Sequence, residues 1–443
     1  AAHGIAEKEF FDYVERTSAA ALASRPVPLD FMIRCFLRSE LPATQVELYE
    51  AGCLTLCQES EHRTETGLEP ALSATERLVV AKRLAAAMTF SARATVVLGR
   101  DDGEIPAEAV RLSEVAGGAE RAAFSLVDVT DAAVRDTLET GLFTARAAKV
   151  LGWAHKTYAE YLAARYVSES TLTPAQILPL IVHPDDPDRK LTPQLHGVAA
   201  WLTSLHPAIF DYVVTHEPEL LLLSDVVIEN PADRARVVAA LLDRKRDHHL
   251  ARIDVLALWK LHQLAHDGIA EQLEPLLTDQ GLADDLRSFA ADVAEYTGCT
   301  ALVPQLTAIA LDPTEQEDLR VDAASAVVRI GTEFERAALK PLLDIPAKTR
   351  SAKWLVRLAV KATWPHAMAV EELFQTLDGT RRRLGLVADD FMLTEHVLET
   401  LRTEHLPAAV AWVLARVQSS PAGRSIWSGD ALHRLEDAIV VAA

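Results

Sequence analysis

The chain has 443 residues, which is long for one compact core and suggests roughly two to four domains or an elongated array. Apolar residues make up 49% of it and charged residues 24%, the balance of a folded, soluble protein. The formal net charge of −20 disfavours non-specific binding to nucleic acid or to an anionic membrane, because phosphate groups would be repelled.

Cysteine usage and hydropathy predict the compartment. Cys53 and Cys57 lie one helical turn apart, and no second Cys or His pair follows nearby at zinc-ligand spacing. With four cysteines in all, a disulfide framework is not expected, and a reducing cytoplasm fits best. No signal peptide and no apolar run of transmembrane length are present, so we expect no membrane association. The first residue is Ala rather than Met, from which we expect a piece of a longer protein.

Three helices are predicted before residue 60, over Ala6–Leu22, Leu29–Leu37 and Thr44–Cys57. Pro26 and Pro28 stop the first helix and preset the backbone for the second, because proline fixes its own backbone angle and lacks an amide N–H. The simplest interpretation of Pro28 is therefore a turn between two helices.

A capping box opens the next predicted helix. Ser73 can accept a hydrogen bond from the third amide of the helix, and Glu76 can return one to the first. The helix is expected over Ala74–Ala87, followed by a strand-like run at Thr95–Leu98 and a further helix at Val129–Thr140.

The stretch 141–167 is the most informative part of the sequence. A short apolar run is broken by a basic, turn-like segment at Thr144–Lys149 and leads into an amphipathic helix at Lys156–Val167. Tyr158, Tyr161 and Leu162 recur at helical spacing, so they can share one buried face of that helix.

His155 immediately precedes this predicted helix. The first amide N–H groups of a helix have no partner within it and the dipole is positive there, so the position suits an anion such as a phosphate. The alternative is a histidine that only caps the helix or fills a half-buried core position, since a single His near a helix start is common.

Residues 153–164 resemble the pattern Phe-x-His-x-Ser/Thr-Phe-x-Glu-Tyr/Phe-Leu-Ala-Ala, which ends the winged-helix region of NACHT-type STAND NTPases, the bacterial relatives of NOD-like receptors. Trp153 replaces the usual Phe. The matching positions are His155, Thr157, Tyr158, Glu160, Tyr161, Leu162, Ala163 and Ala164. The resemblance implies that His155 reaches the phosphates of a bound nucleotide and helps to hold a closed, resting state.

The N-terminal region is similar to the small helical domain that follows the nucleotide-binding core of NACHT proteins. The similarity lies in the order of the helices and in the proline-leucine turns at residues 25–29 and 41–42. It implies that Pro28 packs against the base of the nucleotide. Together these resemblances predict a helical domain at 1–60 and a winged-helix-like domain at 61–170, which would act as an internal hinge and latch.

From Thr173 onward, helices of ten to eighteen residues follow one another and no strand is predicted. The pattern Asp-Leu-Arg-x2-Ala-Ala-x6-Gly at 285–298 recurs 33 residues later at 318–331. The form resembles a HEAT repeat, in which Leu enters the core, paired Ala allow close helix approach and Gly ends the helix. A period near 33 also suits other helix-pair repeats. We therefore predict a mainly α fold ending in an α-solenoid over 173–443.

The sequence lacks the signatures of ATP hydrolysis and of a metal site. No Gly-x4-Gly-Lys-Ser/Thr loop and no strand ending in paired acids for magnesium occur, so this chain alone should not hydrolyse ATP. The resemblance places ATP or ADP with Mg²⁺ in a longer parent protein. His262 and His266 lie one helical turn apart, and His248 and His249 are adjacent, so both pairs raise the question of a metal site. A third ligand is lacking, and we expect all four to be ordinary surface histidines.

Five of the six tryptophans after residue 173 are expected to serve as core or groove residues of the solenoid, one of them as a candidate anchor for a partner. They are Trp201, Trp259, Trp354, Trp364 and Trp412.

The favoured interpretation is the regulatory and sensing half of a NACHT-type STAND ATPase. In that family the solenoid detects a protein trigger, the winged-helix region holds ADP, and release lets the core exchange nucleotide and homo-oligomerise. In a bacterium such an architecture indicates signalling or defence against phage. The alternative is a stand-alone helical repeat scaffold that binds a protein and no nucleotide. A metal-dependent or hydrolytic enzyme lacks any complete residue set.

Overall fold

The computed structural model describes residues 7–17, 19, 23, 26–38, 40–58, 72–98, 109–122, 125–224, 226–247, 258–346, 348–384, 391–419 and 439. Within them the chain is mainly helical, as predicted. It divides into two compact units, Ala1–Ala240 and Leu241–Ala443. In the part of the chain that the structure describes, every helix is too short or too polar to cross a bilayer.

The first unit carries the strands. Its elements are α1 Glu7–Arg16, α2 Pro26–Arg38, α3 Gln45–Gln58, α4 Ala74–Phe90, β1 Thr95–Val97, β2 Ala109–Arg111, α5 Leu112–Val115, β3 Ala119–Arg121, β4 Leu126–Asp128, α6 Asp131–Leu138, β5 Phe143–Ala147, β6 Val150–Trp153, α7 Lys156–Glu169, α8 Pro174–Ile181, α9 His196–Leu205, α10 Pro207–His216 and α11 Glu219–Leu223. The boundary between the units falls within α12, Pro231–Arg246.

Helix α4 is the central element of the first unit, and it begins at the predicted capping box. The amide N–H of Glu76 donates to Ser73 Oγ at 3.3 Å, and the amide N–H of Ser73 donates to Glu76 Oε2 at 2.8 Å. The buried Arg77 of the same helix donates to Asp136 Oδ2 of α6 at 2.8 Å and to the carbonyl of Cys57 at the end of α3 at 3.0 Å. One guanidinium thus joins three helices and satisfies a helix terminus.

The strands form two small sheets. The four-stranded sheet has the order β2-β1-β6-β5, with β1 parallel to β2 and the remaining neighbours antiparallel. The strands β3 and β4 pair with each other as a separate antiparallel ribbon. Because Val96 at the centre of β1 is fully buried, the larger sheet encloses part of the core of this unit.

The segment predicted as a basic turn, Thr144–Lys149, is mostly strand, so that prediction was wrong. Residues 143–147 form β5 and pair with β6 in an antiparallel hairpin, and the turn is confined to Ala148 and Lys149. Lys149 adopts a positive φ of 60° in this turn. Arg146 lies at an exposed position of β5, where the surrounding sheet rather than local propensity decides the conformation.

The second unit is helical throughout its described part. Its helices are α13 Ile269–Thr278, α14 Asp284–Thr297, α15 Val303–Leu311, α16 Glu317–Ile330, α17 Glu333–Ala337, α18 Arg350–Thr363, α19 Val370–Leu384, α20 Phe391–Thr400 and α21 Leu406–Ser419. Short 3-10 segments are Trp259–Leu264, Thr300–Leu302, Lys340–Asp344 and Thr403–His405. After Thr173, the described residues show β pairing only as the single bridge Val182–Leu191.

The two copies of the sequence repeat lie on α14 and α16, which pack directly against each other. Both leucines and both alanine pairs of the repeat are buried, as the pattern predicts; they are Leu286, Ala290, Ala291, Leu319, Ala323 and Ala324. Paired alanines allow the two helix backbones to approach closely. Helix α16 in turn packs on α18, so the alternate helices α14, α16 and α18 form one layer of this unit.

The two repeat glycines end their helices for different reasons. Gly298 has a φ of 72°, the left-handed conformation of a helix C-terminus that glycine adopts without steric cost. Gly331 has a φ of −72°, but a Cβ at this position would lie 2.6 Å from the carbonyl oxygen of Val327. Gly298 is therefore suited to its position by its backbone conformation, and Gly331 by the lack of room for a Cβ.

Candidate functional site

His155 caps helix α7. Its backbone is extended, with φ −142° and ψ 139°, and its ring nitrogen Nδ1 accepts a hydrogen bond from the amide N–H of Thr157 at 3.3 Å. The side chain is half-buried and its ring centroid lies 5.7 Å from that of Tyr158. Because Nδ1 is the acceptor, the neutral ring carries its hydrogen on Nε2, which is a donor.

The hairpin β5–β6 fixes the backbone leading to His155. The rings of Phe143 and Trp153 pack with their centroids 4.3 Å apart, and both side chains are buried. The amide N–H of Ala154 donates to the carbonyl of Leu142 at 2.8 Å. The residue before the histidine is thus hydrogen-bonded across the base of the hairpin, which holds the start of α7 in one place.

The face of α7 that carries the tyrosines is buried, as its spacing predicts. Tyr158, Tyr161 and Leu162 are all fully buried. The ring of Tyr161 lies 5.5 Å from that of Tyr49 in α3 and 4.9 Å from that of Trp201 in α9. Aromatic contacts at these separations stabilise the packing beyond the burial of their area. This aromatic cluster joins α7 to helices on both sides of it.

A partly buried polar cluster adjoins the aromatic one and joins α3, α4 and α7. The hydroxyl of Tyr161 donates to Glu50 Oε2 at 2.7 Å. Lys82 Nζ lies 3.0 Å from Glu50 Oε1 and 2.9 Å from Glu169 Oε1, with the lysine side chain only 8% exposed. Arg165 contacts both carboxylates as well. Two acids and two bases therefore neutralise one another at this junction.

The ion pairs and burial in this cluster determine the direction in which the pKa values of Glu50 and Tyr161 shift. Burial alone would raise the pKa of Glu50, but Lys82, the hydrogen bond from Tyr161 and Arg165 together hold it below its usual range. Burial raises the pKa of the Tyr161 hydroxyl, and the negative charge of Glu50 raises it further. At neutral pH the carboxylate is therefore ionised and the phenol protonated, so the hydrogen bond between them is charge-assisted.

The side chain of Glu160 lies against helix α9. Its carboxyl carbon would be 2.1 Å from a Cβ on Gly197, so any larger residue at 197 would require the Glu160 carboxylate to move. Lys156 at the start of α7 forms an ion pair with Glu160 at 2.9 Å while its own side chain is 79% exposed. An exposed cation thus lies next to His155 at the start of the helix.

Pro28, the second predicted site residue, lies at a different point of its helix from the one predicted. Helix α2 begins at Pro26 rather than at Leu29, so Pro28 is the third helical residue and not part of the turn. Proline is accepted there because the first helical amides have no partner within the helix. The side chain of Pro28 lies outside the described residues.

The repeat contains two arginine hydrogen bonds to helix ends that the sequence analysis did not predict. The buried Arg287 donates to the carbonyl of Leu277 at 3.0 Å, and the buried Arg320 donates to the carbonyl of Ala310 at 3.1 Å. Both carbonyls lie in the last turn of the preceding helix, where they have no helical partner. The available signal was an arginine beside the buried leucine in both copies of the pattern.

Tryptophans in the helical region divide into two groups. Trp201, Trp364 and Trp412 are buried, in agreement with their prediction as core residues. Trp259 is 52% exposed and Trp354 is 40% exposed, so these two do not belong to the core.

Metal and thiol chemistry find little support in the geometry. Among the described residues, no three His, Cys, Asp or Glu side chains are grouped so as to hold a metal ion. His262 and His266 each direct Nδ1 at a nearby backbone carbonyl, at 2.6 and 2.8 Å, and His248 and His249 lie outside the described residues. All four cysteines are free, and burial raises the pKa of Cys57 to about 12, so this thiol stays protonated.

Comparison with family models, with curated proteins and with solved structures found no match for this chain.

Proposed function

We propose that this chain is the regulatory and ligand-sensing portion of a bacterial NACHT-type STAND signalling ATPase. The observation that carries the proposal is the order of elements at the site: a β hairpin leads directly to His155, which caps a long helix with a buried tyrosine face. In this proposal the elements between residues 61 and 170 are a winged-helix-like latch, and the hairpin is its wing.

The start of α7 suits a phosphate group of ADP. The Nε2–H of His155 is a donor, the helix dipole is positive at this end, and the exposed Lys156, which also pairs with Glu160, lies beside it. A nucleotide held by a P-loop core in the parent protein would then contact this chain only in the closed state. Because a ligand shifts an equilibrium only by its difference in affinity between two states, ADP bound in this way would favour the closed one.

The helical region after Thr173 would bind the trigger. Its helix pairs repeat with a 33-residue offset, as in an α-solenoid, and each pair buries its apolar residues against its neighbours. Trigger binding would favour the open state, in which the parent exchanges nucleotide and homo-oligomerises.

Nucleotide retention by the longer parent protein tests the latch. The parent would be purified as wild type, His155→Ala and His155→Asn, and its bound ADP measured after denaturation. Asn keeps an N-cap acceptor but lacks the imidazole donor, so both variants should lose ADP while α7 stays folded. We expect raised spontaneous signalling in both.

His183→Ala is the matched control. His183 is exposed, but its Nδ1 likewise accepts from the amide two residues later, that of Asp185, at 3.2 Å. This variant should keep its ADP. Unchanged ADP in the two His155 variants would make His155 a structural cap only.

The alternative of a stand-alone helical scaffold is favoured by one observation, the exposure of Trp259 and Trp354 on a helical repeat. The coding sequence upstream of Ala1 separates the two functions. A P-loop a few hundred residues upstream supports the ATPase. A start codon directly before Ala1, or a parent that holds no nucleotide, supports the scaffold.

A further inference from the structure

Helix α18 presents a basic face in an acidic protein. The helix has 14 residues with four Lys or Arg and no acid, in a chain of 64 acidic and 44 basic residues. Its cations and one tryptophan fall within about 100° of the helix circumference at 3.6 residues per turn. We define the basic face as Arg350, Lys353, Trp354, Arg357 and Lys361.

The opposite side of α18 is core, so the orientation of the basic face is settled by packing. The side chains that face inward are all buried; they are Ala352, Leu355, Val356, Ala359 and Val360. Arg350, Trp354 and Lys361 are exposed, with 40% of Trp354 accessible. The guanidinium of Arg357 lies 5.0 Å from the ring centroid of Trp354. An indole is thus held in place beside cations at the surface.

Two carboxylates adjoin the N-terminal end of this face. Thr349 donates to Glu317 and Ser351 donates to Asp318, so these carboxylates lie at the N-terminal end of α18. Exposed tryptophan and arginine are the residues that most often carry binding energy at protein interfaces.

We propose that the basic face is the docking surface for an acidic helical segment of a partner protein, with an aliphatic side chain of that segment against Trp354. Adjacent cations are three or four residues apart, which is about 4.5 to 6 Å along the helix axis. Carboxylates at the same spacing on a second helix would match them. The inference rests on the proposed role of the C-terminal helices in trigger binding.

A nucleic acid fits these observations less well. The net charge of −20 repels a polyphosphate at long range, and Arg357 lies over the tryptophan ring where a base would stack. An acidic protein segment carries fewer charges and can place each one opposite a cation. Charge complementarity of this kind sets specificity and the rate of association.

The test is fluorescence anisotropy of the full chain with a labelled synthetic helical peptide that has Glu at every third or fourth position and one central Leu. We expect saturable binding that weakens about tenfold between 0.05 and 0.5 M NaCl, because salt screens exposed charges. The same peptide with Gln in place of Glu should not bind. A single-stranded oligonucleotide of equal charge is the competing ligand.

Substitutions in the basic face test whether the peptide binds there. The triple change R350E/K353E/K361E should weaken binding at least about tenfold, and Trp354→Ala about fivefold, with unchanged circular dichroism. Trp354→Ala is the milder change and covers the case in which the triple variant does not fold. Arg246→Glu, which alters an arginine side chain 49% exposed on α12, is the control and should bind normally.

Three outcomes would overturn the inference: no saturation up to about 1 mM peptide at low salt, equal binding by the triple variant, or tighter binding of the oligonucleotide. Nucleotide plays no part in this assay, and the basic face plays no part in ADP retention. A failure here therefore leaves the latch at His155 standing, and the converse also holds.

Discussion

At the scale of single residues, Asp292 in α14 is an acid held in a setting that favours its protonated form. Burial, reinforced by the nearby carboxylates of Asp322 and Glu295, raises its pKa to about 8, and Lys245 only partly opposes this shift. In an unfolded chain the same group would release its proton near pH 4. The folded state therefore binds a proton between these two values that the unfolded state does not.

Asp292 should accordingly make stability depend on pH. A folded pKa above the unfolded one contributes stability that is fully present below about pH 4 and is lost as the pH rises towards 8. Asp292→Asn cannot ionise, so the variant should gain urea resistance over wild type as the pH rises, most of all at pH 8. The exposed Asp267→Asn is the control. Parallel pH profiles for wild type and Asp292→Asn would contradict the assignment.

Residue-level features differ in how far the sequence could predict them. The Ser73 capping box and the position of His155 at the start of α7 were predictable, because both depend on side chains within three residues of a helix start. The bond from Arg287 to the carbonyl of Leu277 was not predictable in this way, because it joins two helices.

At the scale of elements, the buried Arg287 holds the end of α13 and pairs with Glu315. Its guanidinium lies 2.6 and 2.7 Å from the two oxygens of that carboxylate, and the side chains are 2% and 7% exposed. The bidentate hydrogen bonds from Arg287 hold the pKa of Glu315 below its usual range. The pair therefore stabilises the fold above pH 5 and is lost as Glu315 becomes protonated in acid.

Arg287→Met should destabilise the protein by about 3 kcal/mol at pH 7, because it leaves a buried carboxylate and a helix-end carbonyl without their partner. Urea unfolding followed by circular dichroism measures the change. Arg246→Met, at a surface arginine, should stay within about 0.5 kcal/mol of wild type. A loss for Arg287→Met no larger than for this control would show that water replaces the guanidinium there.

Elements were predictable where the local pattern decides them, as for the helices α4, α7, α14 and α16. The strand β5 was not predicted with its own bounds because its sequence, Phe-Thr-Ala-Arg-Ala, is basic and only weakly typical of a strand. Pairing with β6 provides its hydrogen bonds, and that partner follows a turn at Lys149 whose positive φ is unusual outside glycine. The parallel pairing of β1 with β2 is likewise a tertiary feature.

At the scale of the whole molecule, charge is the dominant property. A net charge of −20 opposes the compact state through self-repulsion, and this repulsion is screened by salt. Raising NaCl from about 10 to 150 mM at pH 7.5 should therefore raise the melting temperature by a few degrees. Sucrose at matched osmolarity is the control for non-ionic effects. A melting temperature that falls with salt would mean that the internal ion pairs outweigh the repulsion.

The arginine hydrogen bonds of the repeat also bear on how the number of repeats can change in evolution. Arg287 and Leu277 are ten residues apart, as are Arg320 and Ala310, so each helix end is capped from within its own 33-residue segment. Duplicating or deleting one whole segment adds or removes an arginine together with the carbonyl that it caps. The chain could thus lengthen or shorten by one such segment without leaving a helix end uncapped.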